Sequence, residues 1–245
     1  MKKIRVAAVN YLNTKPLLYG IKKQEFISQI DLIETYPAKV AQMVLDGSAD
    51  LGLLPVAVIP KLPEHFIITD YCIGCDGPVA SVCIFSEVPM EQVEKIYLDY
   101  QSRTSVMLAQ LLVKEHWKLD VKFAAAEGED YRDQIKATTA GLVIGDRALE
   151  QRQSTPYIYD LGTAWKEFTG LPFVFAAWVS NKKLPEEFVD AFNGANASGL
   201  AELTAVIREQ EYPYYDLNEY YTRNISYDLN AEKRAGLQRF LNYLK

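Results

Sequence analysis

Apolar and polar residues alternate along the chain in blocks whose period switches between that of a strand and that of a helix. Arg5–Val9 is a compact, β-branched run suited to a buried strand, and Asn10, Asn13, Thr14 and Pro16 then punctuate a turn before apolar residues resume at Leu17. The pattern predicts a strand, a polar loop and a helix start. Ile30–Thr35 reads as a second strand. Pro37 opens a helix over Ala38–Leu45, with Val40, Met43, Val44 and Leu45 on its apolar side, and Gly47 ends it. Ala49–Leu54 is a third strand, broken by Pro55. This alternation builds a parallel sheet with helices on its faces.

Phe66–Thr69 and Val79–Phe85 are further strand candidates, separated by the turn-rich GCDGP of residues 74–78. The pattern then starts afresh. Lys95–Leu98, Val121–Ala124 and Gly141–Ile144 read as strands and Thr104–Trp117 as a helix. Asp160–Phe168 predicts a short helix, residues 170–172 a turn, and Phe173–Val179 an unbroken apolar strand. Beyond Leu184 the chain is helical in pattern: Glu186–Gln210, a tyrosine-rich stretch over 212–221, and a capped helix over 230–244. With no sheet of their own, these segments are expected to pack back on the first unit. The division is then residues 1–84 with 178–245 as one α/β lobe and 85–177 as a second. Two crossings, near Ser81–Phe85 and Phe173–Ser180, leave a cleft between them.

Composition narrows the function. Apolar residues make up 49% and charged ones 24% of the 245 residues, as in ordinary globular proteins. The net charge is −6 and there is no basic stripe, which argues against nucleic acid as a partner. No segment approaches the ~18 apolar residues of a membrane span, and the opening MKKIRVAAVN lacks the apolar core of a secretory signal, so a cytoplasmic protein is expected. Cys72, Cys75 and Cys83 are odd in number, and the only histidines, His65 and His116, have no metal-ligand spacing. Buried free thiols are expected, with no metal. A homodimer stays open, as does whether the 212–221 tyrosines meet a ligand, the lobe or a second subunit.

The loop carrying Asn13 opens a helix, and a helix N-terminus presents unpaired N–H groups that gather anions. The same device recurs at Ser102–Ser105 and at Gly145–Asp146. Tyr11, Asn13, Pro55, Ser81, Thr104, Ser105, Gly145 and Asp146 fall at or near loops that follow strands, where ligands of open α/β sheets bind. Asn13 and Thr14 also read simply as caps, and Asp146 as the N-cap of a helix over 147–150. Phe173, Phe175, Trp165 and Trp178 read equally as pocket walls or as core.

The stretches VNYLNTKPL, DLGLLPVAVIP, IGCDGPVASVCIFS, DYQSRTSVMLAQLL, IGDRAL and GLPFVFAAW together resemble, in order and spacing, the chorismate dehydratases of the futalosine route to menaquinone. The resemblance covers residues 4–180 and implies a two-lobed type II periplasmic-binding-protein-like fold with a hinge and an interlobe cleft. It implies loss of water from chorismate, a small-molecule substrate, to give an enolpyruvyl benzoate without a cofactor. On that reading Ser81, Thr104 and Ser105 bind carboxylates, Tyr11, Pro55 and Gly145 line the cleft, and Asn13 orients the departing hydroxyl or the ring. Asp146 is the one carboxylate among the motifs and the candidate acid or base; failing it, a substrate carboxylate takes the proton. The sister dihydroxynaphthoate-forming enzyme is similar but is thought to use a histidine where this chain has Gly145. A solute receptor for a small carboxylate is the other alternative, and it would call for an export signal.

Overall fold

The computed structural model describes residues 3–244; residues 1, 2 and 245, at the ends of the expected first lobe, lie outside the described residues. Among the described residues, eleven strands form two sheets. In chain order they are β1 (Ile4–Val9), β2 (Ile30–Thr35), β3 (Leu51–Pro55), β4 (Phe66–Cys75), β5 (Val82–Ser86) and β6 (Lys95–Leu98). The rest are β7 (Lys122–Ala125), β8 (Thr139–Ile144), β9 (Tyr157–Asp160), β10 (Phe173–Ser180) and β11 (Ser226–Asp228). The first sheet has the order β11-β4-β10-β3-β1-β2 and the second β7-β6-β8-β5-β9. Parallel pairs β1–β2 and β1–β3 in one, and β6–β7 and β6–β8 in the other, are each extended by antiparallel strands.

The helices are α1 (Lys15–Ile21), α2 (Gln24–Ile27), α3 (Pro37–Leu45), α4 (Thr104–Glu115) and α5 (Asp146–Gln151). They continue with α6 (Leu161–Thr169), α7 (Glu186–Leu200), α8 (Leu203–Arg208), α9 (Leu217–Glu219) and α10 (Ala231–Tyr243). Pro37 starts α3 because its fixed φ suits the first helical position and its missing N–H costs nothing there. The expected helix over 186–210 is two helices, α7 and α8, separated at Ala201–Glu202.

The chain passes between the sheets through residues 76–81 and returns through α6 and residues 170–172. The expected boundaries, after 84 and after 177, therefore run through β5 and β10 themselves. Asp160 ties the two crossings together. Its carboxylate accepts from the N–H groups of Val79 (3.1 Å) and Ala80 (2.7 Å) on the outward crossing, and caps α6 through Gly162 (2.9 Å) and Thr163 (3.1 Å). Ala80 is held at φ 61°, a left-handed conformation that a non-glycine residue adopts only when its surroundings impose it.

Two strands arise where the sequence pattern shows none. β9 pairs with β5, and β11 adds to the outer edge of β4, so the C-terminal segment does join the first sheet rather than only packing on it. The buried Lys233 of α10 secures β11 by donating to Ser226 Oγ (2.6 Å) and to the Asp228 carbonyl (2.5 Å). Phe240 of α10 packs against both Trp165 of α6 and Phe173 of β10, with ring centroids 6.0 and 5.0 Å away. Most of the core is one continuous cluster spanning both sheets.

Candidate active site

A narrow cavity lies between the lobes. The loop after β1 contributes Tyr11, Asn13 and Thr14; the end of β3 gives Pro55; the end of β8 gives Ile144 and the following Gly145. Ser102, Thr104 and Ser105 come from the start of α4, Val79 from the crossing, and Phe175 from β10. Strand ends and helix starts from both lobes thus converge on one space.

Six of the eight residues singled out from sequence line it: Tyr11, Asn13, Pro55, Thr104, Ser105 and Gly145. Ser81 does not. It is fully buried beside the crossing, where its hydroxyl accepts a 2.7 Å hydrogen bond from Tyr220. Asp146 does not line the cavity either, and it is not a cap: Gly145 holds the N-cap position and Asp146 is the first residue of α5. Its carboxylate is spent on the backbone N–H of Leu12 at 3.0 Å. Burial pushes the Asp146 pKa up, and the Leu12 hydrogen bond opposes that shift without cancelling it.

Gly145 is required by geometry. Its φ is +67°, and a Cβ there would stand 3.0 Å from Cδ2 of the Tyr11 ring. The ring therefore closes over the backbone of residue 145, and the Tyr11 hydroxyl donates to Gln101 Oε1 across the cleft. Removal from water raises the Tyr11 pKa above its ordinary value, so the phenol stays protonated as a donor.

Asn13 is fixed from two sides. Its Oδ1 accepts from the Thr14 hydroxyl (3.1 Å) and its carbonyl from the Tyr227 hydroxyl (2.9 Å), which makes the amide nitrogen its donor end. At α4, Ser102 Oγ accepts from the Ser105 N–H at 3.0 Å, satisfying one first-turn donor, and Thr104 Oγ1 accepts from the Ala57 N–H at 3.2 Å. The partial positive end of a 12-residue helix thereby faces the cavity. Arg103 is exposed, and Asp99 pairs with Arg147 at 2.9 Å.

Thr14 and Ser102 are lining residues beyond those singled out. Ser102 carried a signal, a serine three residues ahead of a helical N–H; Thr14 read only as a cap. Of the four candidate wall aromatics only Phe175 reaches the cavity, while Trp165, Phe173 and Trp178 are core. The three cysteines are buried and free. Desolvation pushes the Cys72 thiol up to about 12 and raises those of Cys75 and Cys83 well above the ordinary range.

Two α/β lobes joined by two crossings, with a cleft between them walled by aliphatic and aromatic groups and furnished with neutral hydrogen-bond donors, define the two-lobed periplasmic-binding-protein fold. Solved structures agree. Protein AF1704 from Archaeoglobus fulgidus superposes with a TM-score of 0.73 at 14% identity, covering 99% of this chain and 96% of that one. The Candida albicans CA3427 gene product, described as having the generic periplasmic binding protein fold, gives 0.66 at 12% identity over 100% and 90%. More specifically, the chain belongs to the menaquinone biosynthesis family, whose model matches residues 4–245. A chorismate dehydratase from Thermus thermophilus is 27% identical across 96% of this chain and 92% of its own length. Among the described residues no helix is long and apolar enough to cross a membrane.

Proposed function

We propose that this chain is a hydro-lyase that eliminates water from chorismate to give an enolpyruvyl benzoate. The observation that carries the reading, beside the family and the Thermus relative, is the character of the cavity: its polar lining consists of an amide, hydroxyls and a helix N-terminus. Such groups bind carboxylates and orient a neutral leaving group with little reorganisation. Thr104, Ser105 and the α4 N-terminus take a substrate carboxylate. Asn13 donates to the departing ring hydroxyl, and Tyr11, Pro55 and Phe175 wall the ring.

The reaction needs little more than orientation, because it makes the ring aromatic. The C–H bond beside the hydroxyl-bearing carbon breaks and its electron pair becomes a ring double bond. The C–O bond breaks, and the hydroxyl leaves as water with the proton taken from the neighbouring carbon, passed on by the carboxylate that accepted it. Among the described lining residues there is no carboxylate, imidazole or amine. One of the substrate's own carboxylates therefore accepts the proton. At 145, where the resemblance puts the sister enzyme's histidine, a positive φ and the Tyr11 ring favour glycine.

Incubation with chorismate should yield a product lighter by one water, followed by mass. Asn13→Ala should lower kcat by about 10²–10³-fold with the fold intact, the cost typical of a removed transition-state donor. Tight chorismate binding without turnover in the wild type would return the chain to the solute-receptor reading.

A further inference from the structure

The residues on the N-terminal side of Asn13 are held by the opposite lobe at two points. The Tyr11 hydroxyl donates to Gln101 Oε1, and the Leu12 N–H donates to Asp146 Oδ1 at 3.0 Å. Both acceptors are themselves anchored. Gln101 Oε1 also accepts from Arg147 Nη2 at 3.1 Å, and Arg147 is paired with the fully buried carboxylate of Asp99, to which Tyr131 donates at 2.9 Å. Asp146 is gripped on its carbonyl by the Tyr212 hydroxyl at 2.5 Å, from the segment that precedes β11. Neither Gln101 nor Asp146 lines the cavity, yet each touches a residue next to or one removed from Asn13.

We infer that Asp146 and Gln101 are positioning residues that form a two-point clasp between the lobes, holding the closed arrangement in which Tyr11 and Asn13 face the helix N-terminus of α4. They act through Leu12 and Tyr11, not on substrate. The proposal rests on the dehydratase reading of this cavity, and it replaces an acid–base role for Asp146 with a geometric one. The two bonds across the cleft are hydrogen bonds to neutral donors, strong enough to favour closure and weak enough to release for ligand entry.

A clasp makes a specific kinetic prediction. When it is cut, the closed state is less populated before binding, so the substrate must itself close the lobes and its apparent affinity falls by the lost fraction. Asp146→Ala and Gln101→Ala should each raise KM about tenfold while kcat stays within about threefold of wild type. Asp146→Asn keeps an oxygen that accepts from Leu12 and should restore KM to within about threefold of wild type. A merely misfolded fraction would lower kcat and leave KM alone. If Asp146→Asn instead loses kcat by about 100-fold or more, Asp146 is an acid–base residue and the proposal fails. Unchanged KM in both alanine variants also overturns it.

Small-angle scattering tests the clasp without turnover. The double variant Asp146→Ala/Gln101→Ala should have a larger radius of gyration than wild type when ligand-free and contract on saturation with chorismate. Equal ligand-free radii would refute the clasp. Should wild type fail to convert chorismate, the dehydratase reading falls, and the ligand-free comparison still decides the clasp.

Discussion

Burial holds the Asp146 carboxyl above the usual carboxylate range, and the Leu12 N–H it accepts only partly offsets that. The folded state therefore binds this proton more tightly than the unfolded chain does. By linkage, the stability contributed by residue 146 is greatest below the ordinary carboxylate pKa of about 3.9 and declines as pH rises from there through the raised value. Above that window the full cost of a desolvated charge is present. Asp146→Asn removes the ionisation and keeps the acceptor, so its denaturant midpoint should match or fall below that of wild type at pH 3.5 and exceed it at pH 7. A constant difference across that range would mean that the carboxylate is not desolvated. None of this was legible in the sequence, where Asp146 reads as a cap or an acid: its partner Leu12 lies 134 residues away. The contact of Ser81 is hidden for the same reason, since Tyr220, which donates to its hydroxyl, is 139 residues distant.

Elements that carry their own signal are the ones the pattern locates. β1, the polar loop and α1 follow from a β-branched run, punctuation and renewed apolar spacing, and six cleft residues follow from the rule that sites gather at strand ends. β9 and β11 carry no such signal. They are four and three residues long and become strands by pairing with β5 and β4, a property of the partner rather than of the segment. The packing of α1 on α7 is likewise invisible until both helices are placed. Gly20 and Gly199 meet at that crossing, where a Cβ on Gly20 would fall 1.8 Å from the Ala195 carbonyl oxygen and one on Gly199 would fall 1.9 Å from that of Pro16. Helix propensity favours alanine over glycine by about 1 kcal/mol, but a clash with backbone cannot be relieved by a rotamer change. Gly20→Ala should thus destabilise the protein by about 3 kcal/mol, read from chemical denaturation. Because α1 begins two residues after Asn13, it should also depress turnover.

At the scale of the whole molecule, two kinds of contact join the lobes. Along the crossings the joint is apolar and continuous, with Val79, Val82, Trp165, Phe173 and Phe240 in one core cluster that reaches into both sheets. Around the Asn13 loop it is made of hydrogen bonds between Tyr11 and Gln101, Leu12 and Asp146, and Ala57 and Thr104. The first kind couples the lobes in folding, whereas the second permits them to part without unfolding. The distinction can be read with the three tryptophans, which report different places: Trp117 follows α4 in the second lobe, Trp165 lies at the junction and Trp178 belongs to the first sheet. Variants retaining one tryptophan each, with phenylalanine at the other two positions, should unfold thermally at coincident midpoints once each is normalised to its own calorimetric transition. Coincidence is the expectation because the main core cluster runs through both sheets, and the second lobe's own cluster around Phe85 and Tyr131 is small beside it. Were the Trp117 signal to disappear in a separate, earlier transition, the apolar joint would be too weak to couple the lobes, and their association would depend on the hydrogen bonds between them.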